Sequence, residues 1–152
     1  EIDTLLAQYN FCIDLNEGMV KKSENVRLTL NQKARELDKQ KQDFQTKYQN
    51  NAYLSPERAQ QEYNRIAKLE QDLQTLSNKL QSELMSENEK NSLQLRDSIN
   101  AFLKEYNKTK GYSMIISNTG FDNLLYADSI YNITKEIVEG LNARYSSPAP
   151  KK

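Results

Sequence analysis

Ile66, Leu69, Leu73, Leu76 and Leu80 recur at alternating steps of three and four, and no other feature of the chain narrows its fold as much. On a helix this spacing draws one narrow apolar seam, and such a seam needs a second helix laid along it. The partner lies upstream. From Met19 onward, Val26, Leu30, Leu37 and Phe44 mark another stripe, with Lys33, Gln40 and Lys47 where the alternate seam residues should fall. Half of that stripe is polar, so the contact is expected to be thin and the far end mobile. The first helix is expected to end near Asn50-Asn51, and Ser55-Pro56-Glu57 starts the next, with Ser55 as N-cap and Pro56 at the first helical position. Together these make an antiparallel hairpin over 19–108 with its tip near 50–56.

Two features interrupt the pattern. Gly18 costs a helix roughly 1 kcal/mol against Ala and reads as a kink or boundary. Beyond Leu80, Leu84 follows by four, and Leu95, Ile99, Phe102 and Tyr106 resume after an 11-residue step that locally unwinds a supercoil. The intervening stretch from Ser86 to Ser92 is almost without apolar residues and reads as a flex point. At 1.5 Å per residue the second helix spans about 80 Å and the first about 50 Å. The arms match only if residues 3–18 extend the first helix in bent form.

The rest of the chain forms a small α/β body, residues 1–18 and 109–145. Tyr112, Met114 and Ile116 alternate with Ser113, Ile115 and Ser117 as a half-buried strand does. Asn118-Thr119-Gly120 supplies a turn, and Leu124, Leu125, Tyr126 and Ala127 form a second strand. Thr134 is placed to cap a C-terminal helix, with Ile133 and Val138 closing a staple. At the other end, Ile2 closes a strand and Asp3 caps a short helix carrying Leu5 and Leu6. Two strands and one short helix bury too little surface to stand alone. The body must borrow surface from the N-terminal segment or from other copies. Residues 146–152, with two prolines and two lysines, read as a disordered tail.

Composition agrees with an elongated molecule. Apolar residues make up 37% of the chain, where globular domains reach about 45–50%. Net charge is zero, so no global field draws it to nucleic acid, and membrane contact is at most peripheral. There is no histidine, and the single cysteine, Cys12, reads as a small buried residue. Without histidine, a zinc site or a Cys/His nucleophile is not expected, nor is any phosphate-binding glycine loop present. The reading is of a non-enzyme without cofactor. Asn107-Lys108-Thr109 and Asn132-Ile133-Thr134 match the glycosylation acceptor pattern, as chance would allow in an Asn-rich chain. With no leader and no long apolar run, the residues leave open a cytosolic chain or an exported one with its signal removed.

Candidate interaction residues fall in two sets. Phe44, Tyr48, Tyr53 and Tyr63 gather near the tip with Lys33, Lys41 and Lys47 from the basic first arm, and this set is the candidate for holding a client. The same rings can instead staple the tip against Leu54. Met114, Ile115, Ile116, Leu124, Leu125 and Tyr126 are the candidates for oligomerisation.

Several short motifs occur in order around this hairpin: Asp3 with Leu5-Leu6, Leu54-Ser55-Pro56-Glu57, Lys110-Gly111-Tyr112, Leu125-Tyr126-Ala127-Asp128, Ile133-Thr134 and Leu141-Asn142. In these the chain resembles the Skp/OmpH family of periplasmic chaperones, in a style like members from the Bacteroides group. The resemblance implies a homotrimer whose short-stranded bodies share a β-barrel while three helical arms surround a cavity. That cavity would hold unfolded outer-membrane proteins without ATP, in the periplasm. Two departures stand out: the first strand of the family is largely missing before Glu1, which implies a trimmed chain, and this chain is neutral where the well-known member is strongly basic. The alternative reading is a structural coiled-coil adaptor of the cell envelope, in which the same hairpin binds one folded partner.

Overall fold

The computed structural model describes residues 1–119, 124 and 126–146. Four helices carry the chain: α1 (Ile2–Gln8), α2 (Asn10–Gln49), α3 (Pro56–Lys110) and α4 (Thr134–Arg144), with a 3₁₀ turn at Ser129–Tyr131 before α4. The chain divides into two compact units, Glu1–Met19 with Asn88–Lys152, and Val20–Glu87.

The second unit is an antiparallel helical hairpin. Lys22 of α2 pairs with Glu87 of α3, and Lys41 with Glu70 at 2.6 Å, so the helices run in opposite directions. Leu37, Ala59 and Ile66 are its buried apolar residues among those described; Leu30, Leu69, Leu73, Leu76 and Leu80 are half-buried. The seam of α2 differs from the expected one. Ala34 and Lys41 are half-buried while Lys33 and Lys47 are exposed. Ala34 lies four residues after Leu30 and fits the close approach, whereas a lysine three residues after it keeps its ammonium in water.

At the tip, α2 ends in a Schellman motif. Asn51 takes φ 51°, the left-handed value that Asn tolerates. Its N–H donates to the Tyr48 carbonyl at 3.2 Å, and that of Ala52 to the Lys47 carbonyl at 2.9 Å. The next helix starts at Pro56, whose missing N–H would be unused there. Ser55 Oγ accepts from the Arg58 N–H at 3.3 Å.

Two expectations about helix boundaries change, at Gly18 and at Ile2-Asp3, while α3 runs as the single long helix expected. α2 runs unbroken through Gly18; the break falls instead at Tyr9, which has ψ 113° between α1 and α2. A side chain repairs it: Asn142 Oδ1 accepts the Asn10 N–H at 2.8 Å, and Asn142 Nδ2 donates to the Gln8 carbonyl at 2.9 Å. α3 also continues through 86–92. Its half-buried or buried positions from Leu76 through Leu84, Glu87, Asn91, Leu95, Ser98 and Phe102 to Tyr106 keep to steps of three and four. An 11-residue period is close to 3.6 residues per turn, so the stripe stays on one face. Lastly, Ile2 opens α1 with Glu1 at the N-cap, and Asp3 sits in the first turn instead of capping it.

The core of the first unit is Leu5, Tyr9, Cys12, Phe102, Ile137, Val138 and Leu141, with Ile133, Leu95, Ile99, Tyr106 and Tyr145 packed against it. Burial pushes the Cys12 thiol up. A Cβ built on Gly140 would lie 2.3 Å from Phe102 Cζ, so only glycine admits this approach of α4 to α3. Tyr9 and Ser98 share a hydrogen bond of 2.8 Å, and Tyr145 donates to Asp14 Oδ2 at 2.8 Å. Burial and the Asp14 carboxylate push the Tyr145 phenol up to about 12.

The described residues contain no strand. Residues 112–118 are irregular, and Leu125 of the second expected strand lies outside the described residues. A strand is stable only when neighbours take up its hydrogen bonds; among the described residues the segment has side-chain partners at its start and one backbone bond at its end. Asn107 brackets Tyr112, accepting its N–H at 2.7 Å and donating to its carbonyl at 2.9 Å. Asn118 accepts the Ile2 N–H at 3.0 Å. The cap of α4 is corrected too. Thr134 is its first residue, with Ile133 at the N-cap, and Asn132 Oδ1 accepts the Thr134 N–H at 3.0 Å. An Asn side chain two residues back closes this turn more readily than a threonine hydroxyl.

Candidate functional site

The hairpin unit gathers the four tip aromatics around Phe44. Its ring centroid lies 5.9 Å from that of Tyr48, 5.6 Å from Tyr53 and 6.2 Å from Tyr63. Such offset and tilted contacts suit the ring quadrupoles. Phe44 and Tyr53 are half-buried, Tyr48 and Tyr63 exposed. The rings do not staple the tip against Leu54, which is 97% exposed; the Schellman turn and the Ser55 cap turn that leucine outward. Burial, with Glu62 beside it, pushes the Tyr53 phenol up. Glu62 is itself lowered by its hydrogen bond from Arg65, with Lys47 adding a smaller effect.

The three candidate lysines are not brought together. Lys41 pairs with Glu70, Lys47 stands near the tip, and Lys33 lines a separate groove midway along the hairpin with Leu37, Gln40 and Leu73. The three lysines therefore do not form one basic patch.

In the first unit, Met114, Ile115, Ile116, Leu124 and Tyr126 all line one open groove of about 670 Å³. Met114 is 74% and Tyr126 84% exposed, while Ile115 and Leu124 are half-buried. The sequence reading missed Ile130 and Tyr131, which share this groove and are exposed. Asp128 fixes them: its Oδ1 accepts the Ile130 N–H at 3.0 Å and starts the 3₁₀ turn. The available signal was an apolar pair directly after Asp-Ser that fits neither a helical nor a strand period. At the edge of the unit, Tyr106 donates to Glu136 Oε2 at 2.7 Å and Lys110 approaches it at 2.8 Å. Burial, then the Glu136 carboxylate, lift the Tyr106 phenol to about 12, and hydrogen bonds from Lys110 and Tyr106 lower Glu136.

Each unit thus leaves apolar side chains open to water, Leu54, Tyr48 and Tyr63 in the hairpin and Met114, Tyr126, Ile130 and Tyr131 in the other. A family model described as outer membrane protein (OmpH-like) matches residues 1–141. The chain belongs to the OmpH-like family. The match takes in the whole hairpin and the core-forming part of α4. No curated protein matches the sequence. The OmpH-like family is one of non-enzymatic chaperones, and membership supports a chaperone-type role in the cell envelope. No helix among the described residues is long and apolar enough to cross a membrane.

Proposed function

We propose that this OmpH-like protein is an ATP-independent periplasmic holdase, a homotrimer that keeps unfolded outer-membrane proteins soluble between its helical arms. Apolar side chains left standing in water carry the reading: Leu54, Tyr48 and Tyr63 at the tip, and Met114, Tyr126, Ile130 and Tyr131 in the body. A contiguous patch of this kind on a soluble chain marks an interaction surface. In the body it favours closure by further copies of the same chain. At the tip, a few rings and one leucine offer contacts weak enough to release a fluctuating client.

The test adds the protein to several urea-unfolded β-barrel proteins diluted into buffer and follows turbidity. Suppression across unrelated clients at stoichiometric amounts is expected. Failure with all of them, alongside tight binding of one native protein, would establish the envelope adaptor instead. Assembly is read separately by light scattering. The expected mass is three chains, falling to one for Met114→Asp with Tyr126→Asp, because a buried unpaired charge is costly. Both side chains are exposed in the single chain, so the fold itself should survive the change.

A further inference from the structure

Midway along the hairpin unit, α2 and α3 leave an open-sided groove of about 220 Å³ whose apolar lining is Leu37, Leu69, Leu73 and Leu76. It exists because α2 offers only Leu37 as an apolar side chain at this layer: Gln40 follows it on the groove wall, and Lys41 turns to Glu70. A gap of this kind forfeits dispersion contacts along its walls. Gln40 Nε2 donates to Glu36 Oε1 at 3.1 Å, whereas Gln40 Oε1 is buried with no hydrogen-bond partner among the described residues. The polar lining is otherwise Glu36, Asp72 and Lys33, so acceptors outnumber donors. The groove therefore asks for an apolar body that carries a donor.

Size narrows the occupant. A cavity of roughly 150 Å³ lined by aliphatic side chains takes up benzene, so the larger groove accommodates a ring with a substituent. We propose that it receives one aromatic side chain bearing a hydrogen-bond donor, the phenol of tyrosine or the indole of tryptophan, from an extended client chain. Leucine walls cover the ring faces, and Gln40 Oε1, after a small side-chain adjustment, accepts the donor. This rests on the holdase reading for its biological occupant, although ring binding is measured without any client. Transmembrane barrels carry girdles of aromatic residues at both interfaces, so unfolded barrel chains would offer such rings repeatedly.

The experiment titrates the full-length chain with p-cresol and, separately, toluene, followed by amide chemical shifts. Saturable shifts confined to residues 33–41 and 69–76 are expected, with p-cresol binding roughly fivefold tighter than toluene, the scale of one net hydrogen bond. Gln40→Leu should remove that preference while leaving the fold intact, and Leu73→Phe, which fills the groove, should block both probes. Equal affinities of the two probes for the unmodified chain, or shifts scattered along both helices, would overturn the proposal. Client aggregation is assayed in parallel. Ring binding without holdase activity sinks the proposed function and spares the groove, while holdase activity without ring preference does the reverse.

Discussion

The two units spend nearly the same local structure, long helix, in opposite ways. In the first, α1, α4 and parts of α2 and α3 converge on Tyr9 and Leu141, each 2% exposed, and the surrounding polar atoms are paired across elements. In the hairpin, two helices share a seam that includes an alanine, a lysine and a glutamine, and cross-helix ion pairs at half-exposed positions add little. The lesson is that helix content does not measure stability. Convergence of three or more elements does, because it removes apolar surface from water on every side.

The largest expected contrast comes from truncating one leucine in each unit. Leu141→Ala should cost about 3–5 kcal/mol, read as the loss of the cooperative urea transition of the body. Leu37→Ala, beside a groove that already lacks neighbours, should cost about 2 kcal/mol or less. Equal costs would erase the distinction between the units. Gly140→Ala comes next. Its Cβ would fall 2.3 Å from the Phe102 ring, an overpacking cost of about 1–3 kcal/mol set against the roughly 1 kcal/mol that Ala gains in a helix. A lower melting temperature is expected; a higher one would mean the ring moves freely.

A smaller effect is expected at the joint between α1 and α2. Asn142→Ala removes both hydrogen bonds bracketing Tyr9, at about 1–2 kcal/mol, and should raise amide exchange at Asn10 without touching the hairpin. Least visible at neutral pH is the tyrosine pair. Tyr106 and Tyr145 have their phenols raised to about 12 in the folded chain, against about 10 when unfolded. The folded state thus holds these protons more tightly, so the associated stability is whole below pH 10 and is lost as pH rises from 10 toward 12. Ultraviolet titration should show Tyr106 and Tyr145 among the last phenols to ionise, and thermal melts should weaken over the same interval; loss beginning well below pH 10 would point to another group.

Features coded by local chemistry were legible in the sequence. Ser55-Pro56 marks the start of α3, and the Ile66 to Leu80 spacing marks its seam, because caps and periodicity depend only on near neighbours. Gly18 misled, since a helix held at its flanks absorbs the cost of one glycine, and the true break at Tyr9 depends on Asn142, more than 130 residues away. The strand expected at 112–117 shares this weakness: alternation encodes which face is apolar but not whether a neighbour is present to pair. Among the candidate residues, the grouping of Phe44, Tyr48, Tyr53 and Tyr63 was legible through their clustering along the chain. Ile130 and Tyr131 were not, because a short 3₁₀ turn leaves no period to read.

Hydrogen exchange of the full chain, resolved by residue, tests the central contrast most directly. Amides of α4 and of 94–106 in α3 should exchange only through global opening, while those of 20–49 and 56–87 exchange by local opening at least about a hundredfold faster, the span between sub-global and global opening. Protection of the hairpin equal to that of the body would contradict the account, since arms that rigid could not adapt to an unfolded chain.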